Sequence, residues 1–132
     1  MRNLFIKRFL VVLAIFSTSL INGQDLVILH SNDVHSNIET LSSGRNKGLG
    51  GLQRRANYVA KIKKENKNVL ILDAGDYNQG TPYFTMFKGN VEVKLNNALG
   101  LDVATLGNHE FDNGQVELAR RLSMAKYKTV CA

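Results

Sequence analysis

Residues 69–76 read VLILDAGD, four apolar residues in a row and then two carboxylates separated by an alanine and a glycine. A continuous apolar run, as opposed to an alternating one, is what a strand covered on both faces looks like. The abrupt change at Asp73 marks where that strand ends. The same grammar recurs on either side. Leu26–Leu29 runs into Asn32, Asp33 and His35, and Val103–Leu106 runs into Gly107, Asn108, His109, Glu110 and Asp112. A fourth apolar run covers Thr129–Ala132.

Segments of helical periodicity separate these runs. Leu52, Ala56, Val59 and Ile62 form one stripe, Val91, Leu95, Ala98 and Leu99 a second, and Leu118, Leu122 and Ala125 a third. Thr81 followed by Pro82 reads as an N-cap and first helical residue of a short helix through Phe87. The order β, α, β, α, α, β, α, β predicts an α/β domain with a mostly parallel sheet and flanking helices.

The 132 residues carry 17 Lys and Arg against 11 Asp and Glu. Three of the basic residues, Arg2, Lys7 and Arg8, flank the apolar run Phe9–Ile21, which is followed by Asn22, Gly23 and Gln24. That layout predicts a secretory signal peptide over residues 1–23. The run is shorter than the roughly 20 residues a spanning helix needs, so no stable membrane anchor is expected after cleavage, and the product is expected in the periplasm or outside the cell. Without residues 1–23 the balance is 14 basic against 11 acidic residues, which gives little reason to expect a nucleic-acid partner. The basic outer side of the helix with Arg54, Arg55, Lys61, Lys63 and Lys64 reads as a solvated face. Cys131 is the single cysteine. It excludes an internal disulfide and a thiolate cluster, and in its apolar tail it is expected to be a buried small hydrophobe. The stretch from Thr40 to Gly51 is glycine-rich but fits neither a dinucleotide nor a phosphate-loop pattern.

In a parallel α/β sheet the carboxyl ends of the strands converge on one edge, where ligands bind. The three polar clusters should therefore meet. Asp33 and His35 offer a carboxylate and an imidazole to a divalent ion, Asp76 a second carboxylate able to bridge two ions, and Asn108 a neutral amide oxygen. His109, next to Asn108, is left for proton transfer, with Asp112 three residues on to orient it and hold it protonated. Taken singly, each of these residues reads as an ordinary turn residue; at three successive strand ends they read as a site. Asp73, Asp102 and His30 receive no catalytic task.

The stretches LHSNDVHS, GGLQRRA, LILDAGDYNQGTPYF and TLGNHEFDNG, in this order, resemble the N-terminal metallophosphatase domain of the secreted 5'-nucleotidase family. That family includes UDP-sugar hydrolases and 2',3'-cyclic-nucleotide phosphodiesterases and belongs to the calcineurin-like metallophosphoesterases. The resemblance runs from about Asp25 to the end of the chain. It implies a four-layer α/β/β/α fold of which residues 24–132 form the first part, and two divalent metal ions of the Zn, Mn, Fe or Mg class. It implies the same roles that the chemistry suggests: Asp33 and His35 on the first ion, Asp76 bridging, Asn108 on the second, and His109 with Asp112 as the catalytic pair. The substrate is then a nucleotide or another phosphoester, whose phosphate is released by hydrolysis.

Family members complete the metal pair with downstream histidines and bind the nucleoside largely with a C-terminal domain. Here the histidines are His30, His35 and His109, and the chain stops in KYKTVCA. An incomplete domain, inactive by itself and lacking the downstream ligands and the substrate domain, is therefore expected. The alternative expectation is a non-catalytic remnant or binding fragment.

Overall fold

The computed structural model describes residues 23–131. The expected signal peptide thus lies, except for Gly23, outside the described residues. The elements follow the predicted order: β1 Val27–Ser31, α1 Leu52–Glu65, β2 Val69–Asp73, α2 Pro82–Phe87, α3 Asn90–Leu99, β3 Val103–Thr105, a 3₁₀ turn at His109–Phe111, α4 Gly114–Leu122 and β4 Lys128–Val130. Thr81 does precede α2 and Pro82 is its first residue, but the Thr81 hydroxyl caps nothing; it donates to the Ser36 carbonyl at 3.0 Å.

All pairings are parallel and the strands lie in chain order, β1-β2-β3-β4. Crossovers between parallel strands are right-handed almost without exception. A sheet that grows in one direction by such crossovers carries its helices on one face. That face holds the core: Leu29, Val69, Ile71 and Ala104 from the strands meet Ala56 and Val59 of α1, Leu99 at the end of α3, and Leu101, Tyr77 and Tyr127 from the connections. The other face is open, with Ile28 52 % and Val130 55 % exposed. Among the described residues, only the helical face of the sheet is covered. The described residues form one sheet and one helical layer.

Two further expectations change. The predicted stripe of α3 is Val91, Leu95, Ala98 and Leu99, yet the residues buried are Glu92, Val93, Asn96 and Leu99. A carboxylate and an amide on the inward face disguised it. Cys131, expected to be buried, is exposed, because β4 ends at Val130 on an outer strand of the sheet. Among the described residues no helix is long and apolar enough to cross a membrane.

Candidate metal centre and its catalytic pair

The strand ends are tied together by backbone bonds that continue past the regular ladder. Ala74 donates to Ser31 at 2.8 Å, Asp33 to the Gly75 carbonyl, His35 to that of Asp76 and Ser36 to that of Tyr77, the last three at 3.0 Å. Matching the two turns this way forces sharp local bends. Asp33, His35 and Asp76 adopt φ of 50°, 47° and 52°, a left-handed conformation uncommon outside glycine. Sparsely populated backbone of this kind gathers at functional sites.

The third strand end joins through a close crossing of two glycines. A Cβ on Gly75 would sit 2.6 Å from the Gly107 nitrogen, and one on Gly107 would sit 2.1 Å from Asp76 Oδ1. Only hydrogen at both positions allows the approach. It lets the His109 backbone N–H donate to Asp76 Oδ1 at 2.9 Å, fixing one oxygen of a carboxylate whose other oxygen is available to a cation.

Glu110 holds this crossing from behind. Its side chain is fully buried, and its carboxylate accepts the backbone N–H groups of Gly107 at 2.7 Å, Asp76 at 2.9 Å and Asn78 at 3.2 Å. The buried Arg121 guanidinium donates in turn to the Glu110 carbonyl. Sequence reasoning assigned Glu110 no role. Its one visible signal was a carboxylate between two candidate catalytic residues in a segment already crowded with polar groups.

Around this frame the structure gathers donor atoms of His35, Asp76 and His109 within 4.8 Å of one another. The imidazoles of His35 and His109 meet edge to face, with centroids 5.1 Å apart at 71°. Asp33 adjoins the trio through His35, its Oδ1 3.7 Å from Nε2, while its Oδ2 accepts from Asn32 at 2.6 Å. Asn108 is exposed and precedes the 3₁₀ turn. Two donors about 2.1 Å from one ion lie no more than about 4.2 Å apart. The trio therefore fits an N/O-ligated divalent ion after contracting by several tenths of an ångström.

His109 is committed on one side. Its Nδ1 lies 2.8 Å from Asp112 Oδ2, and since a carboxylate accepts, Nδ1 carries the proton. The hydrogen bond that Nδ1–H donates to Asp112 is the main reason that the His109 pKa is raised above the ordinary imidazole value. Partial desolvation opposes it, and the charges of Asp112, Asp76 and Glu110 reinforce it. Asp73, below the site, is buried and accepts from the Ser31 hydroxyl at 2.6 Å and the Gly75 N–H at 3.0 Å. Burial nevertheless holds its carboxyl above the usual range, against the pull of those bonds and of Arg55.

Comparison with known proteins agrees with this architecture. The chain is 50% identical over 95 residues to snake venom 5'-nucleotidase of Gloydius brevicauda, an alignment that takes in 68% of this chain and 16% of that protein. It is 50% identical over 96 residues to the 5'-nucleotidase of Mus musculus, covering 68% and 17% respectively. Among solved structures, the 5'-nucleotidase precursor from Thermus thermophilus superposes with a TM-score of 0.74 at 38% identity, over 81% of this chain and 22% of that one. The chain thus spans about a sixth of the length of these curated relatives. With residues 26–129 matching its family description, the chain belongs to the calcineurin-like phosphoesterases.

Proposed function

We propose that this chain carries part of the catalytic centre of a metal-dependent phosphoester hydrolase acting on nucleotides. The observation that carries the proposal is the convergence of His35, Asp76 and His109 within 4.8 Å at the sheet edge, with His109 paired to Asp112. The 5'-nucleotidase names of its relatives support a nucleotide as the substrate. The N-terminal layout supports export from the cytoplasm.

In this reading Asp33 and His35 hold one divalent ion, Asp76 bridges to a second, and Asn108 is a ligand of the second. When bound, such ions supply Lewis acidity toward phosphoryl oxygens and lower the pKa of water. The remaining work falls to the protein. Asp76, fixed by the His109 N–H, sets the spacing of the cation sites. Asp112 accepts from Nδ1–H and favours the imidazolium form of His109, whose Nε2–H can be donated to a phosphoryl or leaving-group oxygen as the ester bond breaks, leaving the neutral Nδ1–H ring, a contribution of typically 10²–10⁴ in rate. Four protein donors leave both ions with open positions, and weak binding by this chain alone is expected.

Calorimetric titration of this chain with Mn²⁺ and Zn²⁺, paired with phosphate release from AMP by a protein in which this chain is joined to the downstream part of a 5'-nucleotidase relative, tests the proposal. Binding that is lost in Asp76→Ala together with metal-dependent release supports it. Absence of binding by either ion overturns it, and metal binding without any release favours the non-catalytic reading.

A further inference from the structure

The segment that carries Asp112 has little packing of its own. Residues 111–116 are all exposed, and the 3₁₀ turn closes with two backbone bonds, the Phe111 N–H to Asn108 at 3.1 Å and the Asp112 N–H to His109 at 3.4 Å. Turns of this kind have poor hydrogen-bond geometry, and a segment with few buried contacts opens readily. The bond from His109 Nδ1 to Asp112 nevertheless requires the two backbones to be held at one distance and one angle. The peptide between Glu110 and Phe111 lies in the middle of that span, so its orientation decides whether the two side chains meet.

That peptide is held from α4. Among the described residues Arg121 has the largest fully buried side chain, and its Nη2 donates to the Glu110 carbonyl at 2.5 Å. Its Nε and Nη1 have no partner there, so this one bond is the whole of the guanidinium's hydrogen bonding among the described residues. A buried cation with so few partners costs free energy, and an apolar side chain of similar length would fill the space without that cost. Filling the core therefore does not account for it. Its path is also kept clear: at Gly89, ahead of α3 with φ 83°, a Cβ would run into Arg121 Nη1 and lie 2.9 Å from its Cδ. Glu110 is thus gripped twice, its carboxylate by the N–H groups of Asp76, Gly107 and Asn78 and its carbonyl by Arg121.

We propose that Arg121 is a positioning residue for the His109–Asp112 pair: by fixing the peptide between Glu110 and Phe111 it aims Asp112 at His109 Nδ1. The inference rests on the hydrolytic reading for the task of the pair. The candidate metal frame does not depend on it, because the Asp76 N–H bonds the Glu110 carboxylate and not its carbonyl.

The first measurement reads the His109 ring in the chain itself, in EDTA and above the imidazole pKa, from the ¹⁵N shifts of its two nitrogens. The parent should be held as the Nδ1–H tautomer, because the tautomer follows the hydrogen bond that a ring nitrogen makes. Arg121→Met should return a substantial share of the ring to Nε2–H. Gly89→Ala, which occupies the path of the guanidinium, should do the same, and it carries the test if Arg121→Met does not fold. Gly100→Ala, at a φ of 74° and meeting only the end of the Lys63 side chain, should leave the parent spectrum. The second measurement uses the chain joined to the downstream part of a 5'-nucleotidase relative. There Arg121→Met should lower kcat for AMP by about 10–100-fold, as a misaimed catalytic group does, with KM and Mn²⁺ affinity close to the parent's. An unchanged tautomer in every variant that folds overturns the proposal, as does a loss of Mn²⁺ affinity parallel to that of kcat, which would make Arg121 a support of the whole site. A joined parent without hydrolysis would instead overturn the hydrolytic reading and leave the ring spectra to decide the positioning.

Discussion

The Glu110 carboxylate, fully buried, accepts the backbone N–H of Asp76 at 2.9 Å, so one acidic side chain fixes the backbone from which another projects toward the candidate cations. The same carboxylate accepts from Gly107 and Asn78. Glu110→Gln replaces one acceptor oxygen with an NH₂ facing N–H groups. Each buried group left without a partner costs about 1–3 kcal/mol. For a chain of this size the melting temperature should fall by roughly 4–8 °C per kcal/mol, read by thermal unfolding in EDTA. A variant melting with the parent would mean that those three N–H groups find other partners.

Gly107 is constrained by space. A Cβ there would fall 2.1 Å from Asp76 Oδ1, and Asp76 Oδ1 is also the acceptor of the His109 N–H. Gly107→Ala should push the Asp76 carboxylate away and break that bond. We expect Mn²⁺ and Zn²⁺ affinity to fall by about 10–100-fold, as when a ligand loses its supporting contacts. Gly114→Ala is a control: its φ is also positive, at 81°, but a Cβ there meets nothing within 4 Å, so it should alter stability and leave metal affinity near the parent's.

What the sequence made legible, and what it hid, follows from what each residue type can announce. Apolar runs ending in polar clusters, as at Val69–Asp76, announce strands and their carboxyl edge, and the parallel sheet follows from the alternation with helices. Asp33, His35, Asp76, His109 and Asp112 could be singled out because carboxylate and imidazole types at strand ends have few structural uses in combination. Glu110 could not, because a carboxylate that accepts backbone N–H groups looks in sequence like one that binds an ion. Glu92 and Asn96 actively misled, since polar residues spaced by four read as the outer side of a helix. What covers the sheet was not legible either: continuous apolar runs state that strands are apolar on both sides, not what lies against each side.

Asp73 makes stability depend on pH in a direction opposite to that of a salt-bridged carboxylate. Burial raises its pKa in the folded chain, so between the unfolded value of about 3.9 and the folded value the native state binds more protons than the unfolded state. Stability from this group is therefore greatest at acid pH and declines as pH rises through that window, flattening above the folded pKa. Asp73→Asn removes the titration; its one oxygen can accept from the Gly75 N–H, and its NH₂ can donate to the Ser31 hydroxyl. The difference in melting temperature between variant and parent should shift in the variant's favour from about pH 4 upward, then level off. A difference independent of pH would show that Asp73 titrates alike in both states.

The division of labour between His109 and its neighbours can be separated by metal affinity. A donor atom of His109 lies within 4.8 Å of those of His35 and Asp76, and its Nδ1 is engaged by Asp112 at 2.8 Å. A hydrogen bond to a carboxylate is equally the hallmark of an oriented metal-binding imidazole, and the two roles differ in what is lost with the side chain. As a proton donor, His109 changed to Ala should leave Zn²⁺ affinity within a few-fold of the parent by calorimetry while lowering AMP hydrolysis, measured with the chain joined to a relative's downstream part, by roughly 10²–10⁴. Asp112→Asn should act in the same direction more mildly, because the imidazole survives but loses the anion that holds its proton. His35→Ala, in contrast, should abolish the weak metal binding expected of the chain. If His109→Ala lost the ion as completely as His35→Ala, His109 would be a third ligand, and the proton would have to come from another group or from solvent.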